Sequence, residues 1–293
     1  MAISYEELTT KHPCFARGDK NGSGRIHLPI SPSCNIECKF CERSFNSYEV
    51  RPGVSRTVIT PHEAIDAIRR ALQFCPDIKV AGIAGPGDTL ASPFALETFR
   101  LIKKEFPELV KCMSTNGLLL AEKAQEVIDV GIDSLTVTVN AVDPLIEAQL
   151  NDGIVWHGEH ITGIEAAQIL IRQQLKGIEL VSDAGLTVKV NTVLVPGIND
   201  GHIEKIAMTV AEKGASIYNI IPLIPQHKLK ECREPDCMEL ERAILKASKY
   251  IDVFRHCQRC RADAVGIPGG EDFGDRVYLD LQRLSKKDTF SHG

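Results

Sequence analysis

The sequence predicts an α/β fold, an incomplete TIM-like (βα)6 barrel, and three observations lead there. Six short β-like runs recur along the chain, at 25–30, 78–84, 109–114, 134–140, 187–195 and 216–223. A helix-like stretch or a longer connection follows each, the alternation of a parallel sheet covered by helices. Polar residues gather just past the carboxyl ends of the runs, where barrel sites are built. A complete eight-unit barrel takes ~250 residues, so six units imply a partial one. A flat doubly wound sheet is the alternative that the same pattern allows.

The elements follow in order. RIHLPI opens the series, and His27 alternates with Ile26 and Leu28, which turns it to the lumen if those two face helices. Thr60-Pro61-His62-Glu63 is a capping box with proline at the first helical position, and Ile65, Ile68 and Leu72 form the stripe behind it. After IKVAGIA comes Gly85-Pro86-Gly87-Asp88, and Ser92-Pro93 opens the next helix. In LVKCMS, Cys112 shares the phase of Val110 and Ser114 and points inward, while Lys111 points out. SLTVTVN sends Thr136, Thr138 and Asn140 to one face and Leu135, Val137 and Val139 to the other, giving a polar lumen. Asp143-Pro144 starts a further helix, and helix-like runs near 121–130, 160–182 and 202–213 complete the set. Residues 1–24 and 226–293 fall outside the alternation and are expected to be extensions over the barrel mouth, leaving 25–225 as the barrel.

Composition removes whole classes of function. With 34 Lys+Arg against 39 Asp+Glu the net charge is −5, which argues against nucleic acid or a membrane surface held by bulk charge. No apolar run approaches the ~20 residues of a membrane span. The polar, acidic start lacks the plan of a signal peptide, so a cytoplasmic protein is expected. In that reducing compartment the ten cysteines point to metal or redox chemistry rather than disulfides.

Cys34-x3-Cys38-x2-Cys41 lies in a loop after the first strand. Three thiolates at this spacing hold three corners of a 4Fe-4S cube and leave one iron open, whereas such cubes normally take four cysteines. Zinc is the plainer alternative, but the spacing matches no usual zinc pairing and lacks an adjacent fourth ligand. Cys257-x2-Cys260 is a second metal-ligand pair, and Arg255, Arg259 and Arg261 flank it as possible counter-charges. Cys75, before Pro76, reads as packing; Cys232 and Cys237 form a C-x4-C pair without an assigned role.

SPSCNIECKFCERS resembles the signature loop of the radical S-adenosylmethionine (SAM) enzymes, and the six βα units match their partial barrel. That resemblance implies a cube whose open iron takes the amino and carboxylate groups of SAM, and a 5′-deoxyadenosyl radical that abstracts hydrogen. It further implies that Phe40 contacts adenine, that the loop from Gly85 to Asp88 receives the methionine amino group, and that Asn116, Asn140 and Val193 contact the rest of the cofactor. The loop reads GPGD where many relatives read GGEP.

His12-Pro13-Cys14, GIAGPGD, CMSTNG, VKVNTVLVPGIND and RHCQRCRADAVG together resemble, from about residue 11 to 270, the maturase family that builds the nitrogenase cofactor core. The resemblance implies three 4Fe-4S clusters, one binding SAM and two auxiliary ones that are fused around a SAM-derived carbide with an added sulfide. Cys14, His27 and Cys112 then ligate one auxiliary cluster, with Cys257 and Cys260 as further auxiliary ligands; His12 and His256 are rivals of His27. It implies as partners cluster donors, an electron donor and the cofactor-carrier or scaffold proteins of nitrogenase assembly. The carrier domain of some relatives is not expected here. Glu49, beyond the cysteine loop, is the expected proton-path residue. A peptide-modifying radical SAM enzyme and a non-catalytic iron–sulfur scaffold are the other readings; the scaffold leaves the GPGD loop and polar lumen unexplained.

Overall fold

A computed structural model describes residues 3–16 and 22–278. Residues 1–2, 17–21 and 279–293 of the two expected extensions lie outside the described residues. The main sheet contains β1 (Gly24–His27), β2 (Ile78–Ile83), β3 (Val110–Thr115), β4 (Ser134–Thr138), β5 (Thr187–Leu194), β6 (Ile217–Pro222), β7 (Val253–Phe254) and β8 (Val265–Gly266). Their spatial order is β7-β6-β5-β4-β3-β2-β1-β8, with β1 to β7 mutually parallel and β8 antiparallel to β1. From β1 to β7 neighbours in sequence are neighbours in space, β8 returns to the far edge beside β1, and the row does not close, which makes the predicted partial barrel.

The helices that cover the sheet are α2 (Pro61–Phe74), α3 (Phe94–Glu105), α4 (Leu120–Asp129), α5 (Pro144–Leu150), α6 (Gly163–Asp183), α7 (Ile203–Glu212) and α8 (Cys237–Ala247); α1 (Tyr5–Lys11) precedes the sheet and α9 (Gly274–Tyr278) follows it. The capping box at Thr60 and Glu63 forms as predicted, and Asp143 caps α5 through the Leu145 amide. Ser92 does not cap α3, whose first residue is Phe94; its hydroxyl is buried and has no partner among the described residues. The core lies between sheet and helices. Ile26, Leu28, Leu135, Val137 and Val139 are buried there, the outward phase read from the sequence, together with Met113, Val188 and Val190. Lys111 does point away from the lumen, but it is buried and paired with Asp133 at 2.8 Å rather than solvated.

Two features were not legible beforehand. The segment before α6 is a hairpin, Asn151–Trp156 with Glu159–Thr162, turning through His157 and Gly158 at φ of 50° and 84°. Positive φ at both central residues gives the turn whose twist suits a hairpin. It pairs with Ile36–Cys38, so the cysteine loop rests on a three-stranded sheet. The second feature corrects the expected placement of the amino-terminal extension. Leu8 and Phe15 pack against Val80, Val110, Ile217 and Phe254, toward the amino ends of the strands and away from the mouth. The carboxy-terminal segment runs along the open side beside β1, where the His27 amide donates to Ala264 and the Ala262 amide donates to Val54.

Candidate metal centre

The cysteine loop is held from two sides. Cys38 lies opposite Asn151 of the hairpin, and the Glu37 amide donates to the Asn151 side chain at 3.1 Å. On the other side the Gly85–Asp88 loop is zipped to the residues just before Cys34: the Gly87 amide donates to Ser31 and the Asp88 amide to Ser33, both at 2.8 Å. Only glycine fits at 87, since a Cβ would lie 2.1 Å from the Ser33 carbonyl oxygen. The Asp88 carboxylate is buried and accepts from the Asn116 amide at 2.6 Å, the Thr115 hydroxyl at 2.9 Å and the Leu90 amide at 2.9 Å. It therefore fixes the loop to the end of β3. Asn116 donates to the Asn35 side chain at 2.7 Å and reaches within 3.7 Å of the Cys34 sulfur.

Burial pushes the Cys34 thiol to about 12 and raises Cys38 well above the usual thiol range, with the neighbouring cysteines adding to the effect. The charge of Arg43 opposes both shifts. These thiols must shed protons to bind iron, so loading releases protons. Three soft donors in one loop, with a cation beside them, fit an iron–sulfur cube.

The lumen holds a cavity of about 330 Å³, within the size range of ligand sites, reaching from Phe40 and Cys41 to Pro13 and Cys14. Cys14, His27, Cys112, Cys257 and Cys260 all line it, as do Thr136, Thr138 and Val193. The predicted phases of His27, Cys112, Thr136 and Thr138 are therefore met, while Asn140 is not part of the lining. His27 Nδ1 lies 2.9 Å from the Arg261 carbonyl, which can only accept, so Nδ1 carries the proton and Nε2 keeps its lone pair. Burial, with help from Arg25, lowers the His27 pKa to about 4 and keeps the ring neutral. Gly82 leaves room for this ring, since a Cβ there would sit 3.2 Å from it. His12 has the opposite tautomer: its Nδ1 accepts from the Cys14 amide at 3.1 Å, so Nε2 is a donor. Of these two imidazoles, His12 buried and His27 half-buried, His27 is the one poised to ligate. His256 is exposed.

The other singled-out residues have partners of their own. Phe40 lines the cavity while its carbonyl accepts from Gln226 at 2.8 Å. Asn140 supports β5 by accepting from the Val193 amide at 3.0 Å. Glu49 is engaged by Arg51 at 2.5 Å and Asn46 at 3.1 Å. Cys75 is buried in the core, as its sequence position suggests. Of the flanking arginines only Arg259 lines the cavity. Arg255 pairs with exposed Glu241, and Arg261 is spent on Asp263 and the Asn46 and Glu49 carbonyls. Arg25 and Lys189 supply the inner charge instead. Arg25 donates to the Cys260 sulfur at 3.2 Å, and Lys189 lines the cavity from β5. Sequence reading missed both, although Lys189 shares the inward phase of Asn191 and Val193.

The Radical SAM superfamily profile matches residues 28–210. "FeMo cofactor biosynthesis protein NifB" of Methanocaldococcus infernus is 43% identical over 265 residues, covering 90% of this chain and 87% of that protein. The chain belongs to the NifB family of radical SAM proteins. NifB of Klebsiella pneumoniae is 41% identical, and the match spans 88% of this chain but 57% of that longer relative. Among solved structures, Streptococcus suis SuiB has a TM-score of 0.56 at 13% identity, covering 91% of this chain and 55% of that one. A radical SAM methyltransferase from Sphaerobacter thermophilus has a TM-score of 0.56 at 17% identity, covering 79% and 64%. At these identities the two structures support the fold alone. Membership of the NifB family makes this chain an enzyme that uses SAM and a 4Fe-4S cluster. Among the described residues no helix is long and apolar enough to cross a membrane.

Proposed function

We propose that this chain builds the nitrogenase cofactor precursor, fusing two 4Fe-4S clusters with a SAM-derived carbide and an added sulfide into an 8Fe-9S-C product. One observation carries this reading: soft donors from widely separated segments, Cys14, His27, Cys112, Cys257 and Cys260, line one cavity that also reaches the SAM loop at Phe40 and Cys41. Clusters usually take four protein thiolates each, so these ligands are too few to saturate eight irons. Incomplete ligation suits clusters that are substrate rather than permanent cofactor. An imidazole is also a more readily released ligand than a thiolate.

Cys34, Cys38 and Cys41 would hold the resident cube, which supplies one electron to split SAM and so release the 5′-deoxyadenosyl radical. The remaining work belongs to the protein's own groups. The zipped Gly85–Asp88 loop and Asn116 set the position of the cysteine loop, and small misplacements are costly in positioned chemistry. Phe40 and Val193 form the apolar rim suited to an adenosine. The Thr136 and Thr138 hydroxyls offer donors inside the lumen. Glu49 stands as the proposed proton-path residue near the cysteine loop. Residues 25–225 would supply the SAM chemistry, and the flanking segments 1–24 and 226–293 the remaining auxiliary ligands. A cytoplasmic setting, cluster donors, an electron donor and a carrier or scaffold that removes the product complete the proposal.

The test is anaerobic loading with iron and sulfide, addition of SAM and reductant, and transfer of the product to nitrogenase lacking its cofactor. Activation of nitrogenase together with deoxyadenosine formation is expected. Deoxyadenosine without activation would replace the proposal with other radical chemistry.

A further inference from the structure

Lys189 is 5% exposed, and the contacts of its ammonium among the described residues are with aromatic rings rather than a carboxylate. It sits 5.2 Å from the Phe15 ring centroid and 5.3 Å from that of Phe254. Both rings belong to the apolar plug at the inner end of the cavity, packed with Cys14, Cys112 and Cys257. Cation–π contact offsets only part of the cost of removing an ammonium from water. A second group points the same way. His12 is 2% exposed, its ring packs edge-on against Phe15, and its Nε2 donor has no partner among the described residues.

We propose that Lys189 and His12 form an anion-receiving wall of the auxiliary site, facing the inorganic sulfides of a net-anionic cluster while the thiolates and His27 hold its iron. Lys189 supplies unpaired charge, and His12 supplies an N–H donor from the opposite segment. The wall selects a net-anionic iron–sulfur centre over a simple metal cation, which Lys189 would repel. This inference rests on the auxiliary-cluster reading above, and its test separates the two.

In a Cys34→Ala, Cys38→Ala, Cys41→Ala background, the auxiliary cluster is reconstituted anaerobically and its reduction followed by paramagnetic resonance. A nearby cation stabilises the more negative, reduced state. Lys189→Met should lower the reduced-to-oxidised ratio at fixed potential about tenfold, the effect expected of one charge across a low-dielectric cavity. That equals about 59 mV for a one-electron couple. Lys189→Arg should stay near the parent. Lys189→Gln serves if the methionine variant does not fold, as judged by circular dichroism. Selective loss of auxiliary iron in the uncharged variants, restored in Lys189→Arg, also supports the wall. Unchanged potential and iron content in the uncharged variants overturn the wall alone. A parent that binds no auxiliary iron overturns both the wall and the auxiliary-cluster reading.

Discussion

Gly87→Ala tests whether the zipped loop sets the position of the cysteine loop. The added Cβ would meet the Ser33 oxygen at 2.1 Å, its carbonyl carbon at 2.6 Å and the Ser31 oxygen at 3.0 Å. These are backbone atoms and cannot rotate aside. The two segments must part, which breaks the hydrogen bonds from Gly87 to Ser31 and from Asp88 to Ser33. At ~1 kcal/mol for each bond and ~1–3 kcal/mol for overpacking, the closed pairing loses about 3–5 kcal/mol. A tenfold change costs 1.4 kcal/mol, so opening should rise by at least roughly a hundredfold. Amide exchange at Gly87 and Asp88 reports this opening directly. SAM cleavage should fall with it, while auxiliary iron is retained. Gly201→Ala is the control, because nothing lies within 4 Å of its Cβ position; it should stay within ~0.5 kcal/mol of the parent. Wild-type exchange and cleavage in Gly87→Ala would refute the reasoning.

Three further outcomes follow from the same geometry. Burial raises the Glu147 pKa to about 8, partly opposed by a hydrogen bond from the Ala141 amide. The native state then binds more protons than the unfolded one between the ordinary carboxyl pKa and about 8, so stability falls as pH rises through that window. Glu147→Gln should flatten the loss, worth a few kcal/mol in a denaturant series; identical slopes would refute it. His27, lowered to about 4 by burial, gives the opposite sign. The unfolded state binds the extra proton between about 4 and 6.5, so iron-free protein should lose stability as pH falls through that range, and His27→Gln should lose less. In loaded protein, pulsed paramagnetic resonance should detect a nitrogen coupling that His27→Ala abolishes and His12→Ala preserves.

Much of the fold was legible because the decisive signals were periodic. Alternation in SLTVTVN and LVKCMS separates the core-facing Leu135, Val137 and Met113 from the lumen-facing Thr136 and Cys112. The capping signals of α2 and α5 are equally local. Strands β7 and β8 escaped because each has only two residues, too few to show a period. The amino-terminal extension carries no signal for which end of the barrel it enters; Phe15 looks like any aromatic residue until Val80 and Phe254 meet it. The arginines around Cys257 look alike in sequence, yet only Arg259 faces the cavity, because Glu241 and Asp263 take the other two. The choice between His12 and His27 depends on which nitrogen meets a carbonyl or an amide, and the His27 contact with the distant Arg261 carbonyl is a long-range fact that strand phase cannot supply.

Iron counting with paramagnetic resonance, on anaerobically reconstituted wild type and the Cys34→Ala, Cys38→Ala, Cys41→Ala variant, tests the central claim most directly. A cysteine loop opening onto a ligand-lined lumen predicts about twelve irons for three 4Fe-4S centres. The variant should retain about eight irons and their paramagnetic signals while losing all cleavage of SAM. Saturation of the wild type at about four irons, with none left in the variant, would contradict the account.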